Sequence, residues 1–158
     1  SKWKEKEQQK KKMDELVKMA KGGNVWAMEQ IAWAYQYGTN GFEEDRTTAF
    51  KWFQKAHAAG SILGMTKEGQ WLAQRPGDAD AKKGFSYLVM AEARGSNLAV
   101  YLLGYFYYYG EYGFPCDKVV GRRFLEKSLS GDCQHQHMSD ACKEEAQVIL
   151  DELVDADG

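Results

Sequence analysis

The side chains best suited to hold a metal ion lie close together near the C-terminal end of the sequence, at Cys133, His135, His137 and Cys142. Cysteine and histidine are the ligands that Zn²⁺ prefers. A Cys-x-His-x-His segment followed by a helical Cys does not, however, reproduce the regular ligand spacing of zinc fingers. We therefore expect a polar loop with one buried cysteine, and we predict neither a metal site nor a cofactor.

Motifs for covalent catalysis and for phosphate binding are missing from the sequence. It contains no Gly-x-Ser-x-Gly segment around a nucleophilic serine. Its glycines are scattered along the chain and form no Gly-rich phosphate loop. Carboxylates are plentiful, but no motif pairs them. The sequence therefore predicts no catalytic residues and indicates a protein that is not an enzyme.

Three segments of the chain share one skeleton, which recurs with a period of about 35 to 37 residues. In each segment a small residue is followed five positions later by another small one, and a large apolar residue comes three positions after that. These positions are Ala27, Ala32 and Tyr35, then Gly64, Gly69 and Leu72, then Ala99, Gly104 and Tyr107. A period of this length is typical of stacked helix pairs. The small residues predict close packing between the two helices of a pair.

An aspartate precedes the second half of each segment, at Asp45, Asp80 and Asp117. A carboxylate at the start of a helix accepts hydrogen bonds from unpaired backbone N–H groups and interacts favourably with the helix dipole. We therefore predict that these residues cap helices and are not catalytic acids.

The skeleton resembles the Sel-one-like repeat family, whose members are relatives of tetratricopeptide repeats. The beginning of the family pattern is matched best by LGYFYYYG at residues 103–110, and its ending by WFQKAHAAG at residues 52–60. The second repeat departs most from the pattern, because Arg75 stands where the other two repeats have Gly38 and Gly110. The inter-helix turn of that repeat therefore need not match the others.

The resemblance implies an all-α fold, a right-handed α-α superhelix (solenoid) of Sel-one-like helix pairs with a capping helix at each end. We predict a single solenoid domain over residues 1–158. Its predicted parts are an N-terminal capping helix at 1–23, repeats at 24–60, 61–95 and 96–131, and a C-terminal capping helix at 132–158.

Composition narrows the classes of partner. The chain of 158 residues is 44% hydrophobic, enough for a continuous core, and no run of 18 apolar residues predicts a membrane span. Its N-terminal region is rich in lysine but interleaves acids and offers no stacking aromatic beyond Trp3, so we predict no nucleic-acid partner. The chain starts with Ser1, which suggests a part of a longer protein. Three cysteines without repeat-equivalent positions favour reduced thiols and an intracellular, cytoplasmic setting.

The densest unusual feature is the run of tyrosines in the third repeat. By analogy with tetratricopeptide arrays, the first helix of each pair lines the concave face. Repeat register then selects the partner-binding residues Trp33, Gln36, Tyr37, Gln70, Tyr101, Tyr105 and Tyr108. Exposed Trp and Tyr are preferred anchors at protein interfaces. The rings of Trp33 and Tyr105 could equally belong to the core, and the sequence leaves that alternative open.

The resemblance implies a non-catalytic scaffold or adaptor that binds a protein or peptide on its concave aromatic face. A regulatory or substrate-recruiting module of a larger enzyme, such as a ubiquitin ligase or a kinase, is the alternative. A hydrolase of the penicillin-binding type, an activity claimed for some relatives, is a third hypothesis. The sequence fixes neither the partner nor the oligomeric state.

Overall fold

The computed structural model describes residues 1–75 and 77–157, and within them the chain is all helical apart from loops and one isolated bridge between Ser96 and His135. Pro76 and Gly158, which fall in the predicted second repeat and C-terminal cap, lie outside the described residues. The helices are α1 (Lys2–Lys21), α2 (Val25–Tyr37), α3 (Arg46–Ala58), α4 (Ile62–Ala73), α5 (Asp78–Ala93), α6 (Asn97–Tyr109), α7 (Lys118–Leu129) and α8 (Asp140–Asp157).

The chain forms two compact units, with the division inside α4. Unit 1 comprises residues 1–68, and unit 2 begins at Gly69. In unit 1, α1 packs on α2, and α2 packs on α3. The apolar core of this unit contains the fully buried Ile31 together with Ala27 and Phe42, and the half-buried Leu16 of α1 packs against it. The first eleven residues of α1 are exposed, so only the second half of that helix caps the unit.

In unit 2, α6 is the central helix and contacts α5, α7 and α8. Its buried residues include Leu103 and Phe106, and Leu125 of α7 and Ile149 of α8 are also almost completely buried. Since three helices cover α6, side chains on most of its circumference are shielded from solvent. A run rich in tyrosine suits such a helix better than one with a solvent-exposed polar face.

Two of the three predicted aspartate caps are present. Asp45 accepts a hydrogen bond from Thr48 N at 3.1 Å, and Asp117 accepts one from Val120 N at 3.0 Å. The prediction is wrong for Asp80, because α5 begins earlier, at Asp78, after a capping Gly77 with no side-chain hydrogen bond. Asp80 instead lies in the first turn, where its charge still meets the positive end of the helix dipole.

The predicted close approach at the small residues is present in unit 2. A Cβ atom on Gly104 would lie 2.9 Å from Phe124 Cβ and 3.0 Å from Leu125 Cγ. A Cβ atom on Gly69 would likewise lie 3.1 Å from Tyr87 Cβ. A side chain at either position would crowd the neighbouring helix, so close packing favours glycine there in spite of its poor helix propensity.

The loop between α7 and α8 is tied to the start of α6 by an asparagine that the sequence pattern did not single out. Asn97 is fully buried, and its Oδ1 accepts hydrogen bonds from His137 N at 2.7 Å and Met138 N at 3.2 Å. Its Nδ2 donates to Gln136 Oε1 at 2.9 Å. The backbone of Asn97 also donates to His135 O at 3.0 Å. One side chain therefore fixes the loop that leads into α8.

Across residues 1–75 and 77–157, none of the helices combines the length with the apolar composition that crossing a bilayer requires.

Candidate partner-binding surfaces

The C-terminal end of α2 carries an aromatic pair formed by Trp33 and Tyr37. Their side chains, one helical turn apart, are stacked with ring centroids 5.6 Å apart and planes 7° from parallel. Trp33 is half-buried, because its ring packs edge-to-face with that of Phe53 in α3, with ring centroids 5.4 Å apart. Tyr37, in contrast, is 60% exposed. The helix ends there because Gly38 adopts the left-handed conformation. The pair therefore has an inner ring anchored on the core and an outer ring facing solvent.

The ammonium group of a lysine lies over the inner ring of this pair, Trp33. Lys67 Nζ lies 5.1 Å from the centroid of Trp33 and 5.7 Å from that of Phe53. Gln36, the neighbouring residue predicted to bind a partner, is half-buried. A partner of unit 1 would therefore meet Tyr37 first, with Gln36 at its side.

A second aromatic pair occupies the corresponding positions of α6. Tyr105 and Tyr109 follow Ala99 at the same spacing with which Trp33 and Tyr37 follow Ala27. Their ring centroids are 4.7 Å apart. Tyr105 is half-buried and Tyr109 is 44% exposed, so this pair too combines an inner and an outer ring.

The expected exposure is wrong for two of the predicted binding tyrosines. Tyr101 is only 8% exposed and Tyr108 only 9%. Tyr101 lies on the side of α6 that α8 covers, near Cys142 and Glu145. Tyr108 is covered from the other side, where Lys118 Nζ lies 5.3 Å from its ring centroid. The analogy with tetratricopeptide arrays predicts a free face on α6. In the structure, the last helix and the loop after α6 cover much of that face.

Tyr101 and Tyr108 still touch the exposed pair. The Tyr101 ring lies 6.0 Å from that of Tyr105, and the Tyr108 ring meets that of Tyr109 edge-on at 4.9 Å. They therefore support the two rings that solvent reaches. Tyr109 is a better candidate for partner contact than either buried tyrosine, because its side chain is exposed. The remaining predicted residue, Gln70, is half-buried on α4.

Tyr101, Tyr105 and Tyr109 lie in an environment that disfavours negative charge on their phenols. Burial, followed by the nearby Cys142 thiol and Glu145 carboxylate, raises the pKa of Tyr101 well above its ordinary value near 10. Burial is also the largest cause of the raised pKa of Tyr105, to which Glu111 and Glu145 add. The same order, burial and then neighbouring phenol and carboxylate charge, raises the pKa of Tyr109. All three phenols are neutral hydrogen-bond donors at physiological pH.

The cysteines and histidines near the C-terminal end of the sequence do not assemble into a ligand set. Within the described part of the chain, no three His, Cys, Asp or Glu side chains meet as a metal site would require. The His135 and His137 rings stack at 5.7 Å, and burial together with His135 lowers the pKa of His137. Cys133 and Cys142 are free thiols, as is Cys116. That the protein binds no metal remains a prediction.

Unit 1 contains a buried polar pair that sequence reasoning missed. His57 Nδ1 lies 2.7 Å from Glu68 Oε2, and Gln54 Nε2 donates to Glu68 Oε1 at 3.4 Å. Glu68 is only 6% exposed. A buried carboxylate requires hydrogen-bonding partners such as these. We therefore interpret the pair as a structural link between α3 and α4. Ser61, at the start of α4, caps that helix by accepting a hydrogen bond from Gly64 N. No repeat-equivalent histidine or glutamate signals this pair in the sequence.

Comparison with known proteins finds similarity to one repeat family. The family model for the Sel1 repeat matches residues 27–61 and 97–132. A solved Sel1 repeat protein from Oxalobacter formigenes is 24% identical with a TM-score of 0.55, and the match covers 87% of this chain and 98% of that one. A protective antigen present in uropathogenic Escherichia coli strains, with an SLR fold, is 16% identical with a TM-score of 0.51, covering 90% of this chain and 40% of that one. No curated protein sequence matches the chain.

These likenesses show the fold. The predicted resemblance to Sel-one-like repeats and the predicted fold class, all-α helix pairs of the solenoid type, are both confirmed. The second predicted repeat, residues 61–95, is not matched by the family model. It is the repeat in which Arg75 replaces the glycine of the other two.

Proposed function

We propose that this chain, which contains Sel1 repeats at residues 27–61 and 97–132, is a non-catalytic adaptor that binds a protein or peptide through the aromatic pairs of α2 and α6. Sel1 repeats typically serve as protein-interaction scaffolds. The proposal therefore concerns which surfaces of this chain bind and how they do so.

The observation that carries the proposal is the recurrence of an aromatic pair at the same positions of both matched repeats. In each, the inner ring (Trp33 or Tyr105) rests on the protein, and the outer ring (Tyr37 or Tyr109) remains 60% or 44% exposed. The repeat skeleton does not need these rings, because Ile31 and Leu103 already occupy the core side of their helices. Large, stiff rings held at the surface favour binding, since little side-chain entropy is lost when a partner covers them.

Gln36, next to Tyr37 in the sequence, fits this proposal as a polar side chain that hydrogen-bonds a peptide backbone, and Gln70 on α4 stays a predicted polar contact. Tyr101 and Tyr108 contribute indirectly, because their rings pack against Tyr105 and Tyr109. A catalytic role finds less support, because buried Glu68 and half-buried His57, a carboxylate–histidine pair in the described part of the chain, contact each other, and Gln54 also donates a hydrogen bond to Glu68.

Site-specific photocrosslinking tests the proposal. A benzophenone amino acid replaces Tyr37, Tyr109 or, as a matched control, Val119, which is 63% exposed on α7 outside both pairs. After irradiation in a lysate of cells that express the protein, we expect the same partner on Tyr37 or Tyr109 and none on Val119. Equal crosslinking at all three positions, or crosslinking at Val119 alone, would contradict the proposal.

A further inference from the structure

We propose that the pair Tyr105/Tyr109, together with Glu145 of α8 and Glu111 of the loop after α6, binds an arginine side chain of an extended basic segment in the partner. The inference rests on the proposed function and names the chemistry that its unit 2 surface recognises.

The first step is the geometry of the rings. Tyr101, Tyr105 and Tyr109 lie one turn apart along α6, with centroid distances of 6.0 Å and 4.7 Å. Tyr108 meets Tyr109 edge-on, at an angle of 88°. The rings of Tyr105 and Tyr109 are inclined by 55°, so they present two faces at an angle instead of one flat surface. Inclined tyrosine faces are suited to a cation, which is attracted to the negative face of each ring.

The second step is the charge around the rings. Glu111 and Glu145 lie close enough to disfavour ionisation of Tyr105, and Glu145 and Glu152 do the same at Tyr109. The sequence from residue 140 to 158 contains seven acids and one lysine. Aromatic faces bordered by carboxylates complement a guanidinium, which stacks on rings and donates forked hydrogen bonds to carboxylates. An anionic or purely apolar partner would leave these carboxylates uncompensated.

The third step is an internal precedent in unit 1. There the equivalent inner ring, Trp33, is covered by the ammonium of Lys67, at 5.1 Å. In α8, Ala141, Ala146 and Ile149 repeat the spacing of Gly64, Gly69 and Leu72, so the residue that corresponds to Lys67 is Glu144. In the described part of unit 2, the cation–π contacts fall on Tyr87 and Tyr108, not on Tyr105 or Tyr109. The position that holds a lysine in one repeat therefore holds a glutamate in the other, and a cation on Tyr105 or Tyr109 would come from a partner.

Fluorescence anisotropy on the full chain tests this inference, with a fluorescein-labelled Gly-Arg repeat peptide as the probe. A Gly-citrulline peptide of the same length is the matched probe, since citrulline keeps the shape of arginine without its charge. We expect Tyr109→Ala and Glu145→Gln each to weaken binding of the arginine peptide by about three- to thirty-fold, the range expected for one cation–π contact or charge pair. Both residues are exposed, so both variants should keep the wild-type circular dichroism spectrum.

Asp132→Asn is the control, because it removes the same charge from an exposed residue in the loop that packs at the opposite end of α6. It should bind the arginine peptide as the wild type does. The inference is overturned if the arginine peptide does not bind, if the citrulline peptide binds equally well, or if all three variants weaken binding alike.

Sedimentation velocity distinguishes the other possible occupant, the lysine-rich α1 of a second copy. A dimer that Tyr109→Ala dissociates would assign the surface to that helix and overturn the partner proposed here. Photocrosslinking at position 109 in the Glu145→Gln background separates this inference from the proposed function. Undiminished crosslinking there would mean that the aromatic pair binds a partner without recognising a cation.

Discussion

At the scale of single residues, the small positions of the repeat explain the packing of α6 on α7. Replacing Gly104 by Leu should destabilise the protein by more than about 2 kcal/mol, because the new Cβ alone would lie 2.9 Å from Phe124 Cβ and the rest of the side chain has no space. The measurement is the free energy of unfolding in urea. Arg123→Leu, at an exposed position of α7, is the control and should change it little. An unchanged stability for Gly104→Leu would mean that α6 and α7 are not in the contact described.

A second residue-scale prediction concerns alkaline pH. Because burial and Glu145 raise the pKa of Tyr101, the folded state keeps a proton that the unfolded state releases above about pH 10. The contribution of the protonated Tyr101 side chain to the free energy of unfolding is therefore complete below about pH 10. It is lost as the pH rises beyond that value. Tyr101→Phe, which cannot ionise, should lose less stability between about pH 9 and pH 11 than the wild type. Urea unfolding at both pH values, with Tyr37→Phe as the matched substitution, checks this. An identical alkaline loss in Tyr101→Phe would refute it.

Single residues differ in how well their surroundings can be predicted from the sequence. Ala32, Gly69 and Gly104 were identifiable because close helix contacts require small side chains at a fixed spacing. The exposure of Tyr101 and Tyr108 was not predictable, since it depends on α8 and on Lys118. Repeat register shows which side of a helix a residue occupies, but not whether a neighbouring element covers that side.

At the scale of elements, helix boundaries followed from caps and breakers. The helices beginning after Asp45 and Asp117, and those ending at Gly38 and Gly110, are where the sequence predicts them. The beginning of α5 was predicted too late, because Asp80 was aligned with the other two aspartates although its loop is shorter. The predicted parts of the solenoid, and its extent as one domain, stay predictions.

The docking of α8 depends on the loop before it. Asn97→Ala should destabilise the protein by about 2 kcal/mol or more, because His137 N and Met138 N lose their acceptor in a buried site. Asn97→Asp keeps an acceptor oxygen but loses the donor to Gln136 and places a carboxylate in a fully buried site, so we expect it to destabilise the protein as well. Urea unfolding of both variants is the measurement, and faster hydrogen exchange at His137 and Met138 should accompany the loss in Asn97→Ala. Equal stability of all three proteins would show that Asn97 does not hold this loop.

At the scale of the whole molecule, helix pairs of the solenoid type carry the surfaces that we propose as binding sites. The aromatic pair of α2 recurs in α6 at the same repeat positions, so the surface that we propose to bind a partner has the same period as the helices. The sequence without a structure reveals this period and the excess of aromatic residues. It could not distinguish the exposed ring of each pair from the buried tyrosines beside it, because that distinction depends on tertiary contacts.

The most direct test is the affinity of the partner identified by photocrosslinking, measured by titration calorimetry with the wild type and with Tyr37→Ala, Tyr109→Ala and the control Lys51→Ala. Lys51 is exposed on α3, outside both pairs. If the exposed rings are anchors, each tyrosine variant should lose about 1 to 4 kcal/mol of binding free energy with unchanged thermal unfolding, and Lys51→Ala should bind normally. Wild-type affinity in both tyrosine variants would contradict the central claim that these pairs bind the partner.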